Sequence, residues 1–298
     1  MTKKITPEFL KKLVKKRPSD CHKGNFGRVL IIAGSKGMTG AAVLSAKACL
    51  KAGAGLVTAA CPESQQPIIA ASLPEAMTLP VIEKHGSIAL KAVNKIISWN
   101  KAKNYELCLV GPGLSVNSET PDFVIEIIRK LRLPAVIDAD ALNSLALRGN
   151  AKKLPKDTPF IFTPHPGEAK RLVKKFSGSK IDLARRISKT FNAVVVLKGH
   201  GTVVTDSKEI FINPTGGPCL AKGGSGDILA GIIAGLWAQA GVSNGFSLKT
   251  AFESACLGVY LHGLCGDLAA RKFTERCVLA GELLDFLPSA YRKTNSQI

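Results

Sequence analysis

The sequence predicts a layered α/β fold with a central, mostly parallel sheet and a helical C-terminal part. Short apolar runs alternate with helical patterns over the first two thirds of the chain, and several runs are apolar at every position, as in strands covered on both faces. After Gly223 only helical patterns follow. The chain has 298 residues, 46% of them hydrophobic, and no linker-like segment, so we expect one domain over residues 1–298.

The order of the elements fixes the expected layers. Alternating strands and helices are joined by right-handed crossovers, which place helices on both faces of the sheet. The predicted strands are Arg28–Ala33, Leu56–Ala60, Leu107–Val110, Ala135–Asp138, Phe160–Thr163, Val194–Leu197, Thr202–Thr205 and Ile210–Ile212. The predicted helices are Gly40–Ala52, Ile88–Trp99, Pro121–Leu131, Gly167–Phe176, Asp182–Phe191, Gly224–Ala240, Ser247–Ala270 and Ala280–Leu287.

The chain is strongly basic, with a net charge of +19, and residues 1–20 form a basic N-terminal segment. Nucleic-acid binding is disfavoured because no nucleic-acid-binding motif occurs and only 6% of the residues are aromatic. Two interpretations of the charge stay open. It is either a lysine-rich surface or a field that attracts an anionic substrate.

Composition also bears on location. No targeting signal is recognisable at the N-terminus, and the apolar run from Ile228 to Val242 is interrupted by glycines, which favours a buried helix over a membrane span. The eight cysteines form no CxxC pair, which predicts buried free thiols rather than a zinc site or disulfides. We therefore expect a cytoplasmic protein without a membrane partner.

The sharpest motif is Gly223-Gly224-Ser225-Gly226-Asp227, directly before a long apolar helix. Backbone N–H groups at a helix start bind anions, and glycines let a phosphate approach without a Cβ clash. Asp227 is interpreted as a general base that accepts a proton from an attacking hydroxyl, with a helix N-cap as the alternative. The motif is not a Walker A loop, because GxxxxGK[ST] does not occur.

Two further glycine-rich loops follow predicted strands. The segment 34–42 comes after the first strand and opens a helix, where open α/β sheets bind ligands. It lacks GxGxxG, which disfavours a Rossmann oxidoreductase. The segment Gly111-Pro112-Gly113-Leu114 is either a simple turn or a place where backbone approaches a ligand.

Polar residues follow three more strands. Asp138 and Asp140 start a helix, so one is expected to cap it while the other, with Asn143, holds a metal or a substrate hydroxyl. His165 lies between two prolines, which favours a ligand contact over a core position. Lys198 ends a buried strand, where a lone charge is costly unless an anion is near, so segment 197–202 predicts a phosphate or adenosine contact.

Taken in order, these segments resemble the ribokinase-like superfamily and, within it, the ADP/ATP-dependent NAD(P)H-hydrate dehydratases, which repair hydrated nicotinamide cofactors. The resemblance extends from His22 to about Leu287. Its most specific parts are His22–Gly27, Met38–Ala42, Asp138–Asn143, Pro164–Glu168 and Gly223–Asp227.

The resemblance implies a ribokinase-like three-layer α/β/α fold and a set of site residues. Asp227 is the expected general base, and Glu168 is the candidate for reaching Mg²⁺ through water. Together with the residues chosen from the motifs, the expected substrate contacts are Gly40, Ala41, Gly113, Asp138, Asn143, His165 and Asp227. The expected nucleotide contacts are Lys198, Gly199, His200, Gly201, Thr202, Gly223, Gly224, Ser225 and Gly226.

The implied function is dehydration of the S-epimer of NAD(P)H hydrate, through phosphorylation by ADP or ATP and elimination of phosphate, with ADP favoured as donor. The alternative is a ribokinase-like kinase of a small molecule, such as a hydroxymethylpyrimidine or hydroxyethylthiazole kinase. Related vitamin-precursor kinases carry Asn where His165 stands, which favours the dehydratase. A nucleotide-binding regulator without catalysis would need no base at Asp227.

Some features depart from the family pattern. Lys222 stands where the family often has a small hydroxyl residue, and it is expected either to contact phosphate or to point to solvent. Only about 20 residues precede the matching region, so an epimerase that supplies the S-epimer is expected on a separate chain. The family tendency implies a homo-oligomer.

Overall fold

A computed structural model describes residues 2–149 and 154–295 of the chain. A ten-stranded sheet has the order β1-β12-β11-β10-β9-β8-β7-β2-β3-β4, and β5 and β6 form a separate two-stranded sheet. The strands are β1 (Thr2–Lys4), β2 (Arg28–Ile32), β3 (Leu56–Pro62), β4 (Met77–Val81), β5 (Glu83–Lys84), β6 (Ser87–Ile88), β7 (Leu107–Val110), β8 (Ala135–Ile137), β9 (Phe160–Phe162), β10 (Val194–Leu197), β11 (Val203–Thr205) and β12 (Ile210–Ile212). The helices are α1 (Pro7–Lys11), α2 (Thr39–Ala52), α3 (Gln66–Ser72), α4 (Ala92–Lys103), α5 (Thr120–Leu131), α6 (Ala139–Arg148), α7 (Pro166–Leu172), α8 (Lys180–Phe191), α9 (Ser225–Asn244), α10 (Leu248–Cys277) and α11 (Leu287–Thr294).

The sheet is mostly parallel, as predicted. From β10 through β9, β8, β7, β2 and β3 to β4 every pairing is parallel, and β11 is the antiparallel strand, lying between β10 and β12. Strands β7, β8, β9 and β10 are buried at every position. Full burial is why these strands are continuous apolar runs.

Helices cover both faces of the sheet, which gives three layers. Along β2, Val29 and Ile31 join the core beneath α2, α9 and α10, whereas Leu30 and Ile32 join the core beneath α4 to α8. Successive side chains of a strand point to opposite faces, so one apolar strand feeds two cores. The predicted three-layer α/β/α architecture is confirmed.

Helix α9 runs through the core between α2 and α10. It is long and apolar enough to cross a membrane, but 72% of its most apolar stretch is buried inside the protein. A Cβ at Gly231 would lie 2.3 Å from the Ser45 carbonyl oxygen, and one at Gly235 would lie 2.4 Å from the Cys49 carbonyl oxygen. The two glycines therefore allow α9 and α2 to approach at backbone distance, and the interpretation of this segment as a buried helix is confirmed.

The basic N-terminal segment is integrated into the sheet rather than separate from it. Strand β1 pairs in parallel with β12, with Lys3 opposite Phe211. Behind it, Ile5 and Leu10 are almost completely buried. This strand was not predicted, because its three residues are polar and exposed.

Other differences concern short elements. The predicted helix over Ile88–Trp99 begins only at Ala92, because Ser87–Ile88 pairs with Glu83–Lys84. Helix α3 and strand β4 were missed. The predicted helix over Ala280–Leu287 is a 3₁₀ turn over Ala280–Asp285, followed by α11.

The cysteines match their prediction. All eight are free and six are buried, while Cys21 is half-buried and Cys277 exposed. Burial raises the pKa of the Cys108 thiol to about 12. A thiol with so high a pKa is protonated and unreactive at neutral pH.

Candidate active site

The loops singled out in the sequence follow the carboxyl ends of five neighbouring parallel strands, β2, β7, β8, β9 and β10. In a parallel sheet these ends share one edge, which is where open α/β folds bind ligands. The start of α9 reaches the same edge, because Gly226 lies beside the side chain of Lys198 at the end of β10. Motifs from distant parts of the chain therefore meet in one cleft.

The start of α9 has the geometry of an anion site. Gly224 caps the helix with a φ of 88°, a left-handed conformation that favours glycine. The Ile228 N–H donates to the Gly224 carbonyl oxygen at 3.0 Å, which closes the first turn. The N–H groups of Gly226 and Asp227 belong to that turn and have no carbonyl four residues earlier within the helix. They are positioned to donate to an anion.

Asp227 lies in the first turn of α9, beyond the N-cap position that Gly224 occupies. The pKa of its carboxyl group is raised from 3.8 to about 7, chiefly by burial and next by the neighbouring carboxylate of Asp138, with a smaller contribution from Asp140 and against the opposing charge of Lys198. A carboxyl group with this pKa accepts and releases a proton near neutral pH. Among the described residues, Asp227 has the properties required of a general base.

Lys198 and Asp138 form a buried ion pair at the centre of the cleft. The Lys198 Nζ lies 2.8 Å from the Asp138 Oδ1, and only 1% of the Asp138 side chain is exposed. Burial opposes the charge of Lys198, but Asp138 and Glu168 outweigh it and raise the pKa of the lysine. The sequence predicted an anion beside Lys198, and the Asp138 carboxylate is such an anion. Asp138 holds the N-cap position of α6 yet makes no capping hydrogen bond.

The same ammonium group faces the anion site. A Cβ placed on Gly226 would lie 3.4 Å from the Lys198 Nζ. A phosphate held by the first-turn N–H groups of α9 would therefore meet a positive charge beside it. This arrangement combines backbone donors with a cation, the combination that stabilises charge on transferring phosphoryl groups.

His165 and Glu168 cap α7. The His165 Nδ1 accepts from the Gly167 N–H at 3.0 Å, and the Glu168 Oε2 accepts from the His165 N–H at 2.8 Å. The second oxygen of Glu168 lies 3.4 Å from the His165 Nε2. Burial raises the pKa of Glu168. The imidazole itself is half-exposed on the cleft side, where a ligand could reach it.

The residues present do not form a metal cage. Within residues 2–149 and 154–295 no group of three His, Cys, Asp or Glu side chains is arranged to hold a metal ion. Both oxygens of Glu168 face His165, and Asp138 is paired with Lys198. Mg²⁺ prefers several oxygen ligands in octahedral geometry, and here most of these would have to come from phosphate and water.

The Gly111–Gly113 turn packs against the protein's own backbone. A Cβ on Gly113, whose φ is 60°, would lie 2.8 Å from the Ala41 Cβ. A Cβ on Gly111 would lie 1.8 Å from the Asp138 carbonyl oxygen. The close approach that the sequence suggested is thus to the starts of α2 and α6. At Gly40, by contrast, a Cβ would meet nothing within 4 Å, which leaves open space.

Asn143 belongs to a chain of polar contacts at the edge of the cleft. Its Oδ1 accepts from the Arg171 Nε at 3.0 Å, and its Nδ2 lies 3.5 Å from the Asp140 Oδ1. The other carboxylate oxygen of Asp140 accepts from the Ser115 N–H at 2.9 Å. These contacts tie α6, α7 and the loop after β7 together.

The turn over residues 198–202 accepts hydrogen bonds from a side chain that the sequence analysis did not single out. The Lys180 Nζ donates to the carbonyl oxygens of His200 at 2.8 Å and Gly201 at 3.0 Å. The Thr202 hydroxyl donates to the Gly199 carbonyl oxygen at 3.0 Å. One signal in the sequence could have pointed to Lys180. It is a lysine at the first position of α8, where the helix dipole disfavours a cation.

Two other residues near the start of α9 have contacts that the sequence did not indicate. Lys222 is exposed, and its ammonium group donates to the Arg276 carbonyl oxygen at 2.5 Å. His262, on α10, lies with its Nε2 3.2 Å from the Ser225 hydroxyl and was not singled out in the sequence.

The His22–Gly27 segment lies at the amino ends of the strands, on the side of the sheet opposite to the cleft. It precedes the amino end of β2, and Gly27 packs on Ala238 near the far end of α9. A Cβ on Gly55 would lie 1.7 Å from the Lys23 carbonyl oxygen. The segment is therefore a packing element that joins β2, β3 and α9.

Comparison with known proteins gives a consistent result. The sequence model of the NAD(P)H-hydrate dehydratase family matches residues 29–289. A bifunctional NAD(P)H-hydrate repair enzyme of Moorella thermoacetica is 40% identical over 99% of this chain, but the match covers 54% of the relative. The chain thus spans about half the length of the curated relatives of that kind that it matches.

Other relatives are matched along most of their length. An ADP-dependent (S)-NAD(P)H-hydrate dehydratase of Listeria monocytogenes is 32% identical over 96% of this chain and 95% of its own. The crystal structure of an ADP/ATP-dependent NAD(P)H-hydrate dehydratase from Bacillus subtilis, co-crystallised with ATP and Mg²⁺, superimposes with a TM-score of 0.78 at 30% identity, covering 98% of this chain and 99% of that one. A hydroxyethylthiazole kinase of Pyrococcus horikoshii shares the fold, with a TM-score of 0.56 at 13% identity.

Proposed function

The chain belongs to the NAD(P)H-hydrate dehydratase family, and from that membership we propose that it catalyses the ADP- or ATP-dependent dehydration of the S-epimer of NAD(P)H hydrate. The observation that carries the proposal is Asp227, a half-buried carboxyl group with its pKa raised to about 7, at the helix start that can hold a phosphate. ADP is our preferred donor, because the matched relative from Listeria monocytogenes is named as ADP-dependent.

In the first step Asp227 takes the proton of the hydroxyl group on the hydrated nicotinamide ring. The hydroxyl oxygen forms a bond to the terminal phosphorus of the nucleotide, and the bond from that phosphorus to the bridging oxygen breaks. The shortened nucleotide, AMP when ADP is the donor, leaves with the electron pair. First-turn N–H groups of α9 and the Lys198 ammonium stabilise the charge on the phosphoryl oxygens.

In the second step the carbon–oxygen bond breaks and inorganic phosphate leaves. The lone pair of the ring nitrogen supplies the electrons that expel the phosphate. This elimination is possible after phosphorylation because phosphate is a far better leaving group than hydroxide. The adjacent ring carbon then loses a proton to water, and the ring double bond of NADH or NADPH is restored. The net reaction converts hydrate and ADP into reduced cofactor, AMP and phosphate.

The site residues divide between the two ligands. We assign the hydrate to the side formed by the starts of α2, α6 and α7, where a ligand would meet Gly40, Ala41, Gly113, Asp138, Asn143 and His165. We assign the nucleotide to the turn of Lys198, Gly199, His200, Gly201 and Thr202 and to the residues Gly223, Gly224, Ser225 and Gly226. The open space at Gly40 and Gly223 supports this division, since a Cβ built at either position would meet no described atom within 4 Å apart from its chain neighbours and its own helix backbone.

Mg²⁺ would be expected to arrive with the nucleotide. The Bacillus subtilis protein was co-crystallised with ATP and Mg²⁺. In this chain the carboxylates near the cleft are engaged with His165 and Lys198, so Glu168 would reach the ion only through water.

Charge and setting complete the proposal. Both ligands are polyanions, and a net charge of +19 would raise their local concentration by electrostatic attraction. We place the protein in the cytoplasm, where free thiols persist and reduced nicotinamide cofactors are used. We also expect a homo-oligomer, which is the tendency of the family.

The decisive experiment supplies hydrated NADH, Mg²⁺ and either ADP or ATP to the purified protein and follows the recovery of dihydronicotinamide absorbance. Recovery should depend on the nucleotide and fall about 100-fold or more in Asp227→Asn, since general base catalysis contributes at least that much. Asp157→Asn is the matched control, because Asp157 is exposed and paired with Arg132 at the opposite edge of the sheet. A nucleotide that binds but gives no recovery would overturn the dehydratase and favour a kinase that keeps its phosphorylated product.

A further inference from the structure

A buried histidine lies directly behind the glycine-rich helix start. His262, on α10, is 7% exposed, and its Nε2 lies 3.2 Å from the hydroxyl oxygen of Ser225, which is 6% exposed. Ser225 is the first residue of α9 and stands between two glycines of the anion site. The reaction described above assigns no task to this histidine.

The position of His262 is fixed by its neighbours on the same helix face. Gly258 and Gly266 lie four residues before and after it, which places all three on one side of α10. A Cβ on Gly258 would lie 2.6 Å from the Ile233 Cγ1, and one on Gly266 would lie 2.8 Å from the Leu220 Cδ2. Helix α10 therefore packs tightly against both α9 and the segment before it, so the ring cannot shift far from Ser225.

The same helix anchors the segment that leads into the glycine loop. The Asn213 Nδ2 donates to the Val259 carbonyl oxygen at 3.0 Å, and the Thr215 hydroxyl donates to the Tyr260 carbonyl oxygen at 3.0 Å. The Gly216 N–H donates to the Asp267 carboxylate at 3.1 Å. Thus α10 holds the loop on both sides, and His262 is the contact at the start of α9 itself.

Burial keeps the His262 ring neutral. It lowers the pKa of the imidazole to about 4 against the opposing effect of a hydrogen bond with the Ser225 backbone, and the nearby charge of Lys198 also disfavours protonation. A neutral imidazole has one N–H donor and one acceptor nitrogen. If the Nε2 accepted the Ser225 hydroxyl hydrogen, the oxygen lone pairs would face the anion. If the Nε2–H donates to the Ser225 oxygen, the hydroxyl hydrogen is left to point at the anion, which is the arrangement favoured electrostatically.

We propose that His262 is a positioning residue that donates from its Nε2 to Ser225 and thereby directs the Ser225 hydroxyl to donate to the phosphoryl group at the start of α9. The inference rests on the proposed function in that it takes the anion to be the nucleotide's phosphate. It adds to that function a side-chain donor whose orientation is set from the layer behind it.

A double-mutant cycle tests the coupling. Ser225→Ala and His262→Leu should each lower kcat/KM for the nucleotide by about tenfold to 100-fold, because a hydrogen bond to a charged group is lost or misdirected. The double variant should be no worse than Ser225→Ala within about twofold, because both changes remove the same interaction. His262→Gln, which keeps a donor at a similar reach, should recover part of the loss. Independent, multiplying losses or an unaffected His262→Leu would overturn the proposal.

The matched control addresses loosened packing. Thr250 also joins the two helices, since the Trp237 Nε1 donates to its hydroxyl at 3.4 Å, but it lies at the far end of α9. Thr250→Ala should lower Tm without changing the KM for the nucleotide. A KM that rises as much in Thr250→Ala as in His262→Leu would reduce His262 to a packing residue.

Two measurements keep the test separate from the proposed function. Calorimetric Kd values for ADP across the same cycle report the coupling even if no hydrate is repaired. A wild-type protein that binds ADP but repairs nothing would count against the dehydratase alone. Nitrogen-15 NMR of the wild-type protein with ADP bound should show His262 as the neutral Nε2–H tautomer, and the Nδ1–H tautomer would refute the proposed donor directly.

Discussion

The raised pKa of Asp227 should be visible as the acidic limb of the pH–rate profile. If Asp227 is the base, only its ionised form is active. With a pKa of about 7, about half of the enzyme is competent at pH 7, about one tenth at pH 6 and about nine tenths at pH 8. Values of kcat/KM should therefore rise about tenfold per unit below the pKa and level off above about pH 8. An ordinary aspartate would give a flat profile over this range.

Substitution of a neighbouring charge tests why the pKa of Asp227 is raised. Asp138 is the largest contribution to the raised pKa after burial, and it also neutralises Lys198. Asp138→Asn removes the like charge and the ion-pair partner of Lys198, so the cation acts more strongly on Asp227 and both effects move the limb toward lower pH. Asp157→Asn, far from the cleft, should leave the limb where it is.

The assay is the initial rate of absorbance recovery with subsaturating hydrate and saturating ADP, from about pH 6 to about pH 8.5. Substrate stability is measured in parallel without enzyme at each pH. A wild-type profile that is flat over this interval would refute the assignment of Asp227 as a base with a raised pKa. A limb that stays in place in Asp138→Asn would refute the electrostatic account while leaving the base itself intact.

Three further predictions follow from the same structure. Because the folded state holds a proton on Asp227 between about pH 3.8 and about pH 7 that the unfolded state has lost, stability falls as pH rises through that window. At about pH 8, Asp227→Asn should therefore raise the free energy of unfolding by an amount of the order of 1–4 kcal/mol, and its Tm should be higher than that of the wild type. An unchanged or lower Tm would contradict this. Lys180→Met frees the two carbonyl oxygens that define the 198–202 turn and should raise the KM for ADP about tenfold, whereas Lys189→Met, on the exposed last turn of the same helix, should not. Titration of native thiols with Ellman's reagent should label Cys277 quickly and Cys21 more slowly, and the six buried thiols only after denaturation, with Cys277→Ser removing the fast phase.

Much of the fold could be predicted from the sequence because the central strands are buried on both faces. Continuous apolar runs such as Leu107–Val110 leave little ambiguity, and their loops carry the glycines and carboxylates that mark the cleft. The proposal of Asp227 as the base also came from the sequence, because a carboxylate in a glycine-rich helix start is unusual, and it stays a prediction.

The strands and helices that were not predicted lie where the local sequence does not determine the secondary structure. Strand β4 contains Pro80, which argues against a strand in general but is tolerated because β4 is the last strand of the sheet. Strand β1 is three exposed polar residues that become a strand only because β12 offers a free edge. The short β5–β6 hairpin displaced the start of the predicted helix that follows it.

The missed site residues share one cause. Lys180 contacts carbonyl groups 20 and 21 residues away, and His262 contacts a hydroxyl 37 residues away. No spacing rule within one segment links such positions. Each does break a local expectation, a cation at a helix start and a polar ring on an apolar helix, and such conflicts are common at functional sites.

The backbone contact between α2 and α9 determines which parts of the cleft can move. Helix α2 begins at the proposed hydrate side with Gly40 and Ala41, and α9 begins at the proposed phosphoryl side with Asp227. Gly231 and Gly235 bring the two helices to backbone distance, so a shift of one helix start relative to the other would have to disturb that close contact. In the turn over residues 198–202, by contrast, two carbonyl oxygens accept hydrogen bonds from one lysine side chain, so we expect this turn to move more easily when ligands enter and leave.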